Sequence, residues 1–247
     1  MKMAGATEEL FREDSYAKSC EAKVIDNMYE RSALSCGIIL NRTVFYPGGG
    51  GQPGDIGLLK RANGEQTEIG ATFYTDDRSA ILHIPSAGAE VPEIGETVQC
   101  MLDWDRRYAH MRVHTALHLL CAALPYPVTG GSIGEGGGRL DFDIPESGLD
   151  KGALSEEMNA LIARDAPITM RWITDEELDA QPELVRTMAV QPPRGSGRVR
   201  LIEIAGIDLQ PCGGTHVSRT GEIGPAEVTK IEKKGARNRR VRIALAP

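Results

Sequence analysis

No stretch of this chain approaches the ~20 consecutive apolar residues that a membrane-spanning helix requires. The most apolar run, residues 116–124, contains His118. The start, Met1-Lys2-Met3-Ala4 followed by Thr7, Glu8 and Glu9, lacks the apolar core of a secretion signal. A soluble, cytoplasmic protein with no membrane partner is the expectation. Cysteine is sparse and odd in number: Cys20, Cys36, Cys100, Cys121 and Cys212, without any C-x-x-C spacing. That argues against a disulfide framework and fits a reducing compartment. Aromatic residues make up only 5%, too few for a broad stacking platform on single strands. Positive charge is in deficit, 28 Lys and Arg against 35 Asp and Glu. This excludes a non-specific DNA coat but leaves room for a local basic patch on RNA.

What is present is ordinary globular material. Hydrophobic residues at 41% and charged residues at 26% exclude disorder, collagen and coiled coil. A length of 247 residues fits one large domain or two modest ones. Up to about residue 102 the chain reads as β-rich, with short apolar runs at 37–40, 43–46 and 80–84. Turn signals separate them, among them Pro47-Gly48, Pro53-Gly54-Asp55 and Asp76-Asp77. Asn63-Gly64 between residues 56–59 and 67–69 predicts a hairpin. Strands of this length and spacing favour a small barrel or sandwich.

At Trp104 the pattern changes. Residues 104–124 contain no Gly or Pro, and Asp103 or Asp105 is available to cap. Met111, Ala116, Leu117, Leu120 and Leu124 recur at helical spacing, and Pro125 stops the run. A second helix is predicted over about 150–165, and a third from Thr174, where Thr174-Asp175-Glu176-Glu177 forms a capping-box signature. β-like runs follow at 198–205, 223–232 and 239–246. The fold class is therefore α+β: an N-terminal β-barrel domain, 1–102, then a mixed α/β domain, 103–247. No internal repeat is visible.

Of five histidines, His83, His110, His114, His118 and His216, three stand at i, i+4 and i+8 of the first helix. Each four-residue step advances about 400° around a helix, so they share a stripe drifting ~40° per step. His114 and His118 can thus present imidazoles to one point. A polar helix face is the plainer reading of such a pair. Far downstream, Cys212-Gly213-Gly214-Thr215-His216 offers a thiolate and an imidazole across two glycines suited to a tight loop. Cys212 as a small buried hydrophobe and His216 as a loop hydrogen-bonder are the alternatives. Taken together, two imidazoles on a rigid helix plus Cys and His on a loop make a tetrahedral N₃S set suited to one Zn²⁺ per chain. A zincin protease is excluded, because its H-E-x-x-H needs an acid after the first histidine and Thr115 stands there.

The His114-Thr115-Ala116-Leu117-His118 and Cys212–His216 motifs together resemble the editing domain of alanyl-tRNA synthetase. They resemble most closely the free-standing AlaX-type editing proteins of medium size. Two further segments are similar to that family: the glycine-rich Phe45-Tyr46-Pro47-Gly48-Gly49-Gly50-Gly51-Gln52-Pro53-Gly54-Asp55, and Gly131-Ser132 followed by Arg139-Leu140-Asp141-Phe142. The resemblance covers nearly the whole chain, with the motifs in the family's order. It implies a β-barrel joined to a zinc-containing editing domain that hydrolyses the ester between serine, or glycine, and tRNA(Ala) while sparing Ala-tRNA(Ala). It implies a free-standing protein rather than a synthetase fragment. His114, His118, Cys212 and His216 carry over as metal ligands. Thr129 occupies the neighbourhood where the family senses the substrate hydroxyl, and Gln52, Gly50, Gly51 and Asp141 join it as candidate substrate contacts. A plain tight turn is the other reading of the glycine loop, and a surface turn threonine that of Thr129.

The chemistry so implied needs an activated water and a stabilised oxyanion, which a metal with an open position supplies. Four protein donors close a tetrahedral site, so three arrangements stand open: a loose ligand, a five-coordinate ion, or an ion that only organises the pocket. His110 is a further candidate ligand, or a partner whose hydrogen bond orients one. The glycine loop is neither a Rossmann fingerprint, since Pro53 and Asp55 interrupt it and no helix pattern follows, nor a P-loop, since Gly-Lys-Ser/Thr is absent. Residues 230–242 hold Lys230, Lys233, Lys234, Arg237, Arg239, Arg240 and Arg242 against Glu232 alone. Lys233, Lys234, Arg239 and Arg240 are the candidate phosphate contacts, and solvated hairpin charges are the alternative. Two other functions compete: a zinc-stabilised tRNA-binding module without catalysis, and a hydrolase of some other small ester or amide.

Overall fold

The computed structural model describes residues 7–30, 35–145, 148–185 and 197–246, so the Met1–Ala4 start lies outside the described residues. The chain divides into two compact units, Met1–Gly49 with Pro53–Arg107 and Gly50–Gln52 with Tyr108–Pro247. The sequence boundary was expected near 102. The division falls a turn later, inside the first helix, and Gly50–Gln52 of the glycine-rich loop groups with the second unit.

In the first unit the strands are β1 (Glu8–Glu9), β2 (Ser19–Glu30), β3 (Ser35–Leu40), β4 (Arg42–Thr43), β5 (Gly57–Arg61), β6 (Gln66–Tyr74), β7 (Ile81–Pro85) and β8 (Thr97–Leu102). Six of them close a barrel in the order β2-β3-β7-β6-β5-β8. Closure leaves no free sheet edge. β8 makes it possible by pairing on both sides, with Cys100 opposite Cys20 and Leu59. Alternation sends Ala22 and Val24 of β2 inward while Glu21 and Lys23 face water. Phe45, Leu59, Ile69 and Val98 fill the interior. The predicted hairpin is β5–β6, and Gly64 of its turn takes φ +90°, a conformation that favours glycine.

Helix α1 (Trp104–Ala123) is started by Asp103, whose carboxylate accepts from the Arg106 amide at 3.1 Å. Arg107, in its first turn, is fully buried in an ion pair with Asp55 and donates to the carbonyls of Ser15 and Val44. Asp55 also accepts from the Tyr46 amide at 2.6 Å. Each charge is paired and hydrogen-bonded, the condition under which burial is tolerated.

The second unit adds β9 (Val128–Ile133), β10 (Gly137–Asp143), α2 (Lys151–Ala163), β11 (Ile168–Ile173), α3 (Asp175–Asp179), β12 (Val199–Ile204), β13 (Asp208–Pro211), β14 (Ala226–Lys233) and β15 (Asn238–Leu245). They form a four-stranded sheet, β14-β15-β10-β9, and a three-stranded one, β11-β12-β13. Asp150 caps α2, and Thr174 with Glu177 forms the capping box of α3. β14 starts three residues later than the apolar run suggested, because Gly224 at φ +71° and Pro225 end a 3₁₀ turn first. α1 lies against the four-stranded sheet at Gly138, where a side chain would strike Val113 and Leu117. Among the described residues, no helix is long and apolar enough to cross a membrane. Among the described residues, Cys20, Cys100 and Cys212 are free thiols.

Candidate metal centre

Four-residue spacing on α1 sets His114 above His118, and the loop leaving β13 brings Cys212 and His216 to them. One donor atom from each lies within 4.8 Å of the others. The Cys212 Sγ is 3.4 Å from His114 Nε2 and 3.2 Å from His216 Nε2. Zinc bonds of ~2.0–2.3 Å in a tetrahedron imply donor separations of roughly 3.3–3.6 Å, so the sulfur is already at ligand spacing from two imidazoles. Gly214 is dictated by packing. A Cβ there would lie 2.2 Å from His114 Cε1 and 2.8 Å from Gln52 Oε1. Arg200, buried on β12, pins the loop by donating to the carbonyls of Gly214 and Cys212 at 2.9 and 3.1 Å.

Proton accounting fixes what the imidazoles present. The Thr215 amide can only donate, and it donates to Gln52 Oε1 at 3.1 Å. That identifies the oxygen, so His114 Nδ1, 2.9 Å away, donates to it as well. His118 Nδ1 donates to the Asp208 carboxylate at 2.9 Å. The Thr115 hydroxyl spends its proton on the Met111 carbonyl and therefore accepts from His216 Nδ1 at 3.1 Å. All three rings thus carry Nδ1–H and turn Nε2 towards one sulfur. This is how metal-binding histidines are held by outer partners.

Charge points the same way. Burial pushes the Cys212 thiol up, but His114 and His216 outweigh it and hold the thiol well below its usual range. Burial lowers His118, yet Asp208 and Cys212 lift it to about 10, so its ring holds a second proton on Nε2 beside the Cys212 sulfur, one that a bound cation would displace. His216 is pushed down to about 3 by burial and by His114. Three Nε2 atoms and a thiolate converging on one buried point, with the His118 Nε2 proton standing where a cation would sit, suit a divalent ion of borderline softness.

The sequence matches known proteins over nearly its whole length. It is 36% identical over 251 residues to the alanyl-tRNA editing protein AlaX-M of Saccharolobus solfataricus, covering 98% of this chain and 100% of that one. It is 34% identical over 250 residues to the AlaX-M protein of Methanosarcina acetivorans, covering 97% and 99%. The chain belongs to the AlaX-M family of alanyl-tRNA editing proteins. The alanine–tRNA ligase of Pyrobaculum aerophilum is 34% identical over 246 residues, but the match spans only 25% of that protein. Residues 199–242, which include Cys212 and His216, match the family described as threonyl and alanyl tRNA synthetase second additional domain. Residues 3–106 match tRNA synthetases class II (A).

In this AlaX-M protein the other residues singled out from sequence are distributed unevenly. Gln52 is buried, with its amide spent on His114 and Thr215. Gly50 and Gly51 take φ +59° and +85°. Gly51 accepts from the Ile133 amide at 2.8 Å, and a Cβ on it would lie 2.9 Å from the Gly131 carbonyl oxygen. The loop is therefore splinted onto β9. Thr129 donates to the Asp141 carbonyl at 3.1 Å and accepts from Asn238 at 3.2 Å. Asp141 is bracketed by Arg139 and Arg240. Leu140 and Phe142 are buried on the face that Gly138 turns to α1, so Asp141 points to the opposite face.

The basic hairpin is also split. Lys233 and Lys234 are exposed, Lys234 sitting 3.3 Å from Glu232. Arg240 is committed to Asp141. Arg239 is buried and donates to the carbonyls of Gly235, Ala236 and Asn238, so its guanidinium braces the turn. His110 is buried on α1 and stands outside the group of four. Sequence reading missed Asp208, Thr115, Thr215 and Arg200. The one local signal was Asp208 and Gln210 alternating on one face of a short strand.

Proposed function

We propose that this protein is a trans-editing aminoacyl-tRNA deacylase that releases serine, and glycine, from mischarged tRNA(Ala) and spares Ala-tRNA(Ala), with one Zn²⁺ held by His114, His118, Cys212 and His216. The observation that carries the reading is the convergence of three Nε2 atoms and a thiolate in a chain that matches an AlaX-M protein over 98% of its residues. A bound divalent ion would supply Lewis-acid polarisation and a more acidic water. The chain's own contribution is preorganisation. Gln52, Asp208 and Thr115 keep each Nδ1 protonated and each ring aimed inward, while Arg200 fixes the loop that brings Cys212 and His216.

Specificity requires a site that engages the serine hydroxyl. A pocket built to hydrogen-bond that group discriminates by ~10⁴–10⁵, whereas an apolar pocket scarcely notices one added hydroxyl. Thr129 is our candidate, its oxygen exchanging the Asn238 donor for the substrate hydroxyl. Gly50, Gly51 and Gln52 act on this reading by building the pocket wall, and Asp141 acts from the outer face of the sheet. The tRNA is held by exposed cations, beginning with Lys233 and Lys234, in the cytoplasm where charged tRNA is used.

The test is to incubate the metal-loaded protein with Ser-, Gly- and Ala-tRNA(Ala) and follow release of each amino acid. Loss of serine with alanine retained is the expected outcome. No release from a folded, metal-loaded sample would leave a zinc-stabilised tRNA-binding module. Equal cleavage of a mononucleotide-linked ester would point to a general esterase.

A further inference from the structure

The outer face of the four-stranded sheet carries a cationic row set by strand register. Directly paired residues on adjacent strands share a face. Ser132 of β9 is opposite Arg139 of β10, Arg139 is opposite Arg242 of β15, and Arg242 is opposite Lys230 of β14. Three cations therefore stand side by side across three strands, roughly 5 Å apart at the backbone. The neighbouring row runs Gly130, Asp141, Arg240, Glu232. Its two carboxylates are shared among the cations: Asp141 holds Arg139 and Arg240, and Glu232 holds Lys230, Lys234 and Arg242. These cations hold Glu232 down to about 2. With Glu227 one row further along, and Asp143 holding Arg237 at the opposite end, the face sets six cations against four carboxylates on a chain of net charge −7.

We propose that this face, centred on Arg139, Arg242 and Lys230, is a docking surface for the phosphate backbone of a double-stranded segment of the tRNA. The proposal rests on the deacylase reading and adds to it the surface that holds the substrate's body. Several features favour RNA phosphate over other polyanions. Lys230 is 64% exposed and Arg242 43%, so their heads are available while the carboxylates fix their positions. Guanidinium groups presented in a row suit bidentate contact with phosphate oxygens. The rows also contain Ser132 and Gly130, a hydroxyl and a bare backbone, and no aromatic ring. A face without rings does not stack unpaired bases. A membrane surface would need apolar anchors as well as charge. Among the described residues the large exposed hydrophobics, Phe73, Ile94 and Met101, all belong to the other unit.

The experiment measures tRNA(Ala) affinity and Ser-tRNA(Ala) deacylation against salt concentration, for the wild type and for an Arg139→Gln/Arg242→Gln/Lys230→Gln triple variant. Each lost phosphate contact lowers the salt slope by about one, so a fall of about three is expected, with KM raised tenfold or more and kcat preserved. Lys230→Glu, at a side chain engaged in one long ion pair, repeats the test where folding is not at stake and lowers the slope by at least about one. If the wild type deacylates Ser-tRNA(Ala) with a steep salt slope and both variants keep that slope, another surface holds the tRNA and this proposal falls alone. If the wild type neither binds nor deacylates charged tRNA, the deacylase reading falls and takes this one with it. Variants that lose binding to anionic vesicles but keep tRNA affinity would assign the face to a membrane and overturn the proposal.

Discussion

Buried histidines occur in both units of this protein, and their hydrogen bonds differ. In the barrel, His83 is fully buried with both nitrogens spent. Nδ1 donates to the Ile38 carbonyl at 3.1 Å, and Nε2 accepts from the Thr43 hydroxyl at 2.8 Å. Burial pushes it down to about 4, so it is a neutral, satisfied piece of the core. His114, His118 and His216 each spend only Nδ1 and turn Nε2 to a common sulfur. The distinction between a core histidine and a ligand thus rests on which nitrogen the protein leaves unspent, and not on depth of burial.

The most drastic way to break the comparison is to remove the sulfur. Cys212→Ala should lower metal affinity by more than ~100-fold, the upper range for losing an outer partner alone. Metal content after dialysis, read beside deacylation of Ser-tRNA(Ala), checks it. Next come the outer partners. Gln52→Ala and Asp208→Asn should each weaken metal binding by about 10–100-fold, because each frees one ring to turn or to change tautomer. Competition against a chromophoric chelator would register this, and unchanged affinity in both would contradict the proton accounting.

A smaller effect is expected of Gly214→Ala. The added methyl must displace the His114 ring or the Gln52 amide, at a cost of about 1–3 kcal/mol. A lowered melting temperature together with weaker metal binding is the expected signature. The gentlest test concerns the barrel. His83 is held near 4 when folded and returns to about 6.5 when unfolded. The unfolded state therefore binds the extra proton first, and stability falls as pH drops from about 6.5 towards 4, by up to roughly 3 kcal/mol. Urea unfolding of a His83→Gln variant should show a flatter dependence over that window. An unaltered slope would mean that His83 is not the group that titrates.

How much of this was legible in the sequence depends on whether the deciding interaction is local. The β5–β6 hairpin, α1 and the caps of α2 and α3 are specified within a few residues and were read correctly. The four-donor group was legible because i, i+4 spacing and a C-x-x-x-H loop each restrict geometry on their own. β2 escaped notice because Glu21, Lys23 and Asp26 break its apolar run, although in a barrel the strand's charged side simply faces water. Asp208 escaped because its partner, His118, lies 90 residues away. The Gln52–His114 bond was not legible because nothing local tells a loop amide facing a ligand from one facing a ring 62 residues away.

The basic hairpin holds a signal that sequence reading passed over. In Arg239-Arg240-Val241-Arg242-Ile243 the two apolar residues share the parity of Arg239, which is buried with them, and oppose that of Arg240 and Arg242. Counting cations suggested one patch. Alternation separates an arginine that braces a turn from arginines on an open face.

The central claim is that one ion sits among three Nε2 atoms and one sulfur. Zinc X-ray absorption on the protein as purified, with metal stoichiometry measured on the same sample, addresses it directly. About one zinc per chain is expected, with a shell of three nitrogen scatterers at ~2.0–2.1 Å and a single sulfur at ~2.3 Å. A shell without sulfur, or a folded protein that takes up no divalent metal at all, would contradict it.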